Sequence, residues 1–416
     1  MKKINYSCDE TVYYEKLDNG LKVFMYPTKK SKNFYVTAST YFGAEVMKYK
    51  KGNKVYDVTK GSAHFLEHRV MDFTKNKEAA DKLSEYGSLV NAYTTYNGTN
   101  YNIFGNEKIL DNITLLFDRV FKAHIKEEDV EAERGIILEE YYMCEADPYY
   151  ILETKAFENA FNADFVKYKV IGTTDGIKTV TAKELNRLYK DFYTPSNMFV
   201  VVCGNFDKDE VLEFIKDYMK DIKDIKSDVK VIKPKEDIKI PVEYEEMHMG
   251  LNEEKINIIY KSKMHKGVNK EKYRFALNFA IKEVFSKTGK AYEELVKNGI
   301  KRYSYGVEEV NDINAIYFKA STSEYKKFEE IVSKYLSKLS LDEEALERKK
   351  RSFIRSFVLS FEDIVNVEDM ITSDLFQYKK LYYNIDELVS SITLKDVNEV
   401  IETLDLSNKN VLLMKD

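Results

Sequence analysis

The chain has 416 residues, 44% hydrophobic and 32% charged, with a net charge of −5. That length implies two to four domains, and that balance a folded globular protein; disorder is excluded and there is no basic footprint for nucleic acid. No window reaches the roughly 18 consecutive apolar residues of a membrane span, and Lys2 and Lys3 precede no apolar run of a secretory leader, so a cytoplasmic protein is expected.

In chain order, "GLKVFMYP" (20–27) and "NFYVTASTYFG" (33–43) have the residue types of strands. A helix is predicted from Ser62, as a candidate N-cap, to about Asp72. "NKEAADKLSEYG" (76–87) predicts a second helix, stopped by Gly87. "SLVNAYTTY" and "TNYNIFG" predict paired strands around an Asn97-Gly98 turn. Residues 108–123 and 126–147 predict long helices. A repeat then becomes visible. "TAKELNRLYKDFYTPSNMFVVV" starts at Thr181 and "TLKDVNEVIETLDLSNKNVLLM" at Thr393, 212 residues later. Each is Thr-x-Lys-acid-aliphatic-Asn, an amphipathic helix, a Ser-Asn turn and an aliphatic strand.

Two copies of one α/β unit are therefore expected. The boundaries are 1–225 for the first unit, 226–242 for a charged linker with Pro234 and Pro241, and 243–416 for the second. The fold class is α+β: two homologous α/β halves, each a mixed sheet with helices packed on one side. Cys8, Cys144 and Cys203 are few, distant and odd in number, so they read as free thiols of a reducing compartment.

"GSAHFLEHRVMD" (61–72) holds two of the five histidines. On a helix, His64, Glu67 and His68 share one face. Two imidazoles at i and i+4 can chelate one zinc ion, and a glutamate beside them can take a proton from a water. The bland alternative is two surface histidines; composition alone yields the pattern in roughly one such chain per few hundred. Zinc needs a third ligand, and "EAERGIILEEYY" offers Glu133 and Glu140, two turns apart on one face, with Glu139 about 100° away. A solvated acidic face is the usual fate of such glutamates, but Ile136, Ile137 and Leu138 argue that this helix is partly buried.

With "AHFLEH", "YGSLVNAYTTYNGTNY" and "VEAERGIILEEYYMCEADP" together, the chain resembles the pitrilysin/insulinase family of zinc peptidases, in its bacterial two-domain, processing-protease-like branch. The resemblance covers nearly the whole chain and thins in the second half. It implies that His64 and His68 bind zinc, that Glu140 is the third ligand, that Glu133 orients a histidine ligand, and that Glu67 is the general base. It implies an active-site edge strand at "SLVNAY", where Asn91 and Ala92 offer backbone groups to an extended peptide. It also implies a half-clamshell chain that pairs with another, so that four halves enclose a chamber for short or unfolded peptides.

One departure stands out. The family's self-sufficient members carry an arginine and, seven residues on, a tyrosine in the second half. Here "YEELVKNGIKRYSYG" puts Leu295 and Arg302 at those places. Arg302 and Tyr305 are candidates for substrate contact, with strand packing as the alternative for the tyrosine. The expectation is a metal-bearing subunit of a heterodimer whose related partner supplies the pair, or a homodimer; the alternative is a non-catalytic scaffold subunit. His124 reads as a helix-end cation, His248 and His265 as unpartnered, and Cys144 as core.

Overall fold

The computed structural model describes residues 1–72, 77–223, 228–264 and 269–416. Ten strands belong to a first compact unit: β1 (Lys2–Asn5), β2 (Thr11–Lys16), β3 (Lys22–Pro27), β4 (Phe34–Thr40), β5 (Lys48–Lys51), β6 (Lys54–Asp57), β7 (Leu89–Thr94), β8 (Thr99–Gly105), β9 (Met198–Gly204) and β10 (Val229–Val231). A second unit holds β11 (Tyr244–His248), β12 (Lys255–Lys263), β13 (Tyr303–Val310), β14 (Ile313–Ser321) and β15 (Lys409–Lys415). The sheets run β1-β2-β3-β9-β4-β8-β7 and β10-β5-β6 in the first unit and β11-β15-β12-β14-β13 in the second.

Strand for strand, β3-β9-β4-β8-β7 repeats as β11-β15-β12-β14-β13. The first pairing of each is parallel and the other three are antiparallel. The two-copy expectation and the mixed sheets are thus both present. The repeated motif has a local cause. The Thr181 and Thr393 hydroxyls each accept a 3.2 Å hydrogen bond from the amide three residues on, capping the helices Ala182–Phe192 and Leu394–Thr403. Those helices deliver the chain to β9 and β15, inside their sheets.

Compactness does not follow chain order. The first unit comprises Met1–Tyr141, Tyr168–Lys233 and Phe357–Tyr383; the second comprises Tyr142–Lys167, Pro234–Ser356 and Asn384–Asp416. One helix is exchanged in each direction: Ile364–Tyr378 lies on β9 and β4, and Pro148–Ala160 lies on β12 and β15. Alternation along β3 shows what this does. Val23 and Met25 enter the large core on one face, while Phe24 and Tyr26 pack on the other with Val367 and Ile371 of the exchanged helix. The expected linker divides between the units: Val229–Val231 is β10 of the first, and from Pro234 onward the chain is pinned within the second. The Lys261 ammonium, wholly buried, donates to Glu236 Oε1 and the Asp237 carbonyl at 2.6 Å each, and Glu236 Oε2 accepts from the Ala163 and Asp164 amides.

The motif helix, Ser62–Val70, differs from its expected start. Its N-cap is Gly61, in the left-handed region at φ 92°, and Ser62 is the first helical residue. A Cβ at Gly61 would lie 2.5 Å from the Ile171 carbonyl oxygen, so only glycine fits where these two backbones meet.

Beneath the exchanged helix of the first unit lies a buried acid. Glu368 is 2% exposed, and its Oε1 accepts from Thr37 Oγ1 at 2.9 Å, from Asn100 Nδ2 at 3.4 Å and from Thr372 Oγ1. Burial pushes its carboxyl from 4.5 up to about 7 despite those donors. The folded chain therefore prefers the protonated form. The ionisation penalty is absent below about pH 4.5, grows as pH rises towards 7 and is complete above that, reaching on the order of 3 kcal/mol at most. Glu368→Gln should raise the melting temperature at pH 8 and lose that advantage at pH 4.5. Thermal melts at the two pH values check this, and an equal shift at both would contradict it.

Candidate metal centre

Glycine at the N-cap lets the motif helix start against the 171–172 backbone, and its apolar residues then fix its rotation. Ala63, Phe65, Leu66 and Val70 are buried in the first unit's core. His64, Glu67 and His68 are left on a face towards the helix Glu127–Ala146, with Glu67 itself only 8% exposed. On that helix, Val130 and Ile137 are buried, a spacing of two turns that anchors it. Glu133 and Glu140 repeat the same spacing on the adjoining face and meet His68 and His64.

His64 Nε2 is 3.5 Å from Glu140 Oε1, and His68 Nε2 is 3.4 Å from Glu140 Oε2. The three groups offer one ligand atom each, all within 4.8 Å of one another, the one such group among the described residues. A tetrahedral zinc with bonds of about 2.0–2.1 Å keeps its ligands roughly 3.3 Å apart, so the gap fits that ion. Two imidazole nitrogens and one carboxylate also match zinc's preferred donors and leave a fourth position for a non-protein ligand.

The supporting shell fixes the donors. His68 Nδ1 lies 3.0 Å from Glu133 Oε1, which aims the opposite nitrogen, Nε2, at the gap. Glu133 also takes the guanidinium of Arg69, which in turn grips Asp72. Burial opposes protonation of His68, but the hydrogen bonds it donates to Glu133 and Glu140 lift it to about 9. Hydrogen bonds from His64 and then His68 hold Glu140 far below the usual carboxylate range. The His68 hydrogen bond likewise lowers Glu133, against burial and with help from Arg69.

Glu67 is held by a residue that sequence reasoning missed. Thr94 Oγ1, on β7, donates to Glu67 Oε2 at 2.6 Å and lies 3.2 Å from Thr99 Oγ1. The signal was present: Ala92 and Thr94 alternate on β7, so they share the face turned to the motif helix. Asn91 is exposed and its Oδ1 accepts from the Ala92 amide at 2.9 Å. β7 is the last strand of its sheet.

The remaining candidates sit elsewhere. In the second unit, the Arg302 guanidinium is exposed and paired with Glu253, while the Tyr305 ring packs beside Phe285 and Phe318. His124 is exposed, and His248 Nδ1 lies 2.6 Å from the Asp416 carbonyl oxygen. His265 lies outside the described residues. Cys144 is half-buried, and all three cysteines are free thiols. Among the described residues, no helix is long and apolar enough to cross a membrane.

A helix bearing His-x-x-Glu-His, facing a glutamate on a second helix inside a mixed-sheet unit, defines the inverted-motif class of zinc peptidases. Residues 56–174 match the family model described as insulinase (peptidase family M16), and residues 179–353 match that described as peptidase M16 inactive domain. The chain belongs to the insulinase family. It is 26% identical over 419 residues to the uncharacterized zinc protease YmfH of Bacillus subtilis, covering 97% of this chain and 96% of that protein. Its fold is that of an M16-like peptidase from Alicyclobacillus acidocaldarius, with a TM-score of 0.90 at 22% identity over 97% of each chain. It is also that of the periplasmic protease PqqL of Escherichia coli, with a TM-score of 0.76 at 19% identity; 97% of this chain matches 47% of that one. Zinc is the cofactor that this family and this ligand group share.

Two outcomes follow for metal binding. Glu133→Gln should weaken zinc binding by about 10- to 100-fold, read by competition with a chelator, because His68 loses its orienting carboxylate. Since His68 is protonated up to about pH 9 in the metal-free chain, zinc uptake at pH 7 should release about one proton, and affinity should climb with pH. Calorimetry in buffers of different ionisation enthalpy measures that proton.

Proposed function

We propose that this chain is a zinc endopeptidase that cleaves short or unfolded peptides, and that it is the metal-bearing partner of a dimer. The observation that carries the reading is Glu67: buried beside the ligand group, held through one oxygen by Thr94, with Oε1 in no hydrogen bond among the described residues. A carboxylate that is fixed yet half free is what a general base needs.

His64, His68 and Glu140 would hold the ion, and when bound it supplies a Lewis acid that polarises a peptide carbonyl and acidifies a water. Glu67 Oε1 then receives the proton of the attacking water and returns it to the leaving amine nitrogen. Thr94 keeps the carboxylate from rotating between those two transfers. A peptide can be presented by β7, whose outer side has no strand partner among the described residues and whose Leu89 and Val90 are exposed. An extended substrate would add there as a further strand, with Asn91 and Ala92 alongside it.

Pairing is supported by length and by a missing contact. PqqL, described as a protease, is about twice as long as the region this chain matches, as if two such chains were joined. Tyr305 is committed to packing, so of the two candidates only Arg302 keeps an exposed polar group for a substrate. Three free thiols favour a reducing, cytoplasmic setting.

Glu67→Gln should abolish cleavage of a quenched peptide library while leaving one zinc per chain; retained turnover would remove Glu67 as the base. Thr94→Val should lower kcat by about 10-fold or more with little change in KM, and Thr94→Ser should restore most of it. The paired state is read from the same library. Cleavage that appears only when a related chain is added supports a heterodimer, full cleavage by this chain alone as a dimer supports a homodimer, and full cleavage by the monomer contradicts both.

A further inference from the structure

A cavity of about 520 Å³ opens in the first unit where the exchanged helix Ile364–Tyr378 ends beside β1, β2 and β3. Five of its lining side chains are lysines: Lys2, Lys3, Lys22, Lys379 and Lys380. No aspartate or glutamate is among its described lining residues. Buried Phe24, Leu375 and Leu381 give it an apolar floor. None of these residues belongs to the metal centre. The size lies within the about 300–1,000 Å³ typical of small-molecule sites, which are also mostly apolar with a few convergent polar groups.

Lysines near a helix C-terminus often complement its dipole, and that accounts for Lys379 and Lys380. It does not account for Lys2, Lys3 and Lys22, which come from β1 and β3. The Lys22 and Lys379 ammoniums both stand over the Tyr41 ring, 5.7 and 5.2 Å from its centroid, and neither is in an ion pair among the described residues. Burial, then repulsion from Lys16 and Lys379, lowers the pKa of Lys22. Lys22 and Lys379 are like charges beside a partly apolar cavity and repel each other, and an anion placed between them relieves the repulsion.

We propose that this cavity binds a small amphipathic anion, its carboxylate or phosphate held by Lys22 and Lys379 and its apolar tail laid on Phe24, Leu375 and Leu381. A free acyl chain and a lipid both present this chemistry. The site is independent of peptide cleavage.

Dodecanoate, dodecanol and phosphatidylglycerol vesicles are the probes, added to the full chain by calorimetry and by vesicle flotation. Dodecanoate should bind saturably while dodecanol does not. Lys22→Glu should weaken it by about tenfold or more. Lys379→Gly guards against misfolding, because Lys379 sits at φ 57° where glycine is at ease, and it should weaken binding similarly. Glu67→Gln should bind as the parent does, which separates this site from the proposed catalysis. Vesicle binding that needs both lysines, without dodecanoate binding, supports a lipid source. Failure of both probes, or binding that neither lysine variant weakens, overturns the proposal.

Discussion

The metal centre depends on one polar clasp between two helices. Glu133 takes His68 on one oxygen and Arg69 on the other, and Arg69 is only 5% exposed. A charge taken out of water is costly unless its partner and its remaining hydrogen bonds are in place. Here both carboxylate oxygens are used and the guanidinium also reaches Asp72, so the cluster is closed. The clasp fixes the rotation and the height of the glutamate helix against the motif helix. Two turns further along, that same register brings Glu140 opposite both histidines. Were the glutamate helix to slide by one residue, Glu139 or Tyr141 would stand in the place of Glu140, and a slip to Tyr141 would leave no carboxylate for the third ligand.

The ligand group was legible in the sequence because it is local. His64, Glu67 and His68 lie within about one helical turn, and Glu133 and Glu140 are two turns apart, so periodicity forms each pair of neighbours; that the two helices meet at one ion was implied only by the family resemblance. The repeat was legible for the same reason, since a threonine cap followed by an amphipathic helix leaves a signature at two places. What could not be read was set by long-range packing. Thr94 meets Glu67 only because a strand lies under a helix 27 residues earlier in the chain. Gly61, not Ser62, caps the motif helix because the 171–172 backbone occupies the space that a side chain would need. The exchange of helices was hidden most deeply: Ile364–Tyr378 is an ordinary amphipathic helix in sequence, and nothing in it names the sheet it covers.

That exchange also explains where polar groups were buried. A sheet covered on both faces needs apolar residues on both, and β3 and β9 supply them. Towards β8 the second face turns polar, with Thr37, Ser39, Asn100 and Asn102 all buried. The exchanged helix answers with Glu368, which accepts from Thr37, Asn100 and its own Thr372, while Asn100 donates to Ser39 and accepts from Asn102. Polar networks of this kind select one docking of a helix over its neighbours, at a cost in stability that an apolar match would avoid.

The second copy shows what the scaffold does without the chemistry. Gly87 and Gly299 are 212 residues apart, as are Thr181 and Thr393, and both glycines follow a helix with positive φ. Carried forward by the same interval, His64, Glu67 and His68 fall on Ala276, Phe279 and Ala280, in the helix Lys270–Phe285. All three are buried in the second unit's core. Glu133 and Glu140 fall on Ala345 and Ser352, in the helix Glu343–Ser360. None of the five counterparts is a histidine or a carboxylate, so the second copy has no ligand group at these positions. The sheet order survives intact, so the topology does not require the metal. The metal site rests on the topology, because both helices are anchored in one core, the motif helix by Phe65 and Leu66 and the glutamate helix by Val130 and Ile137.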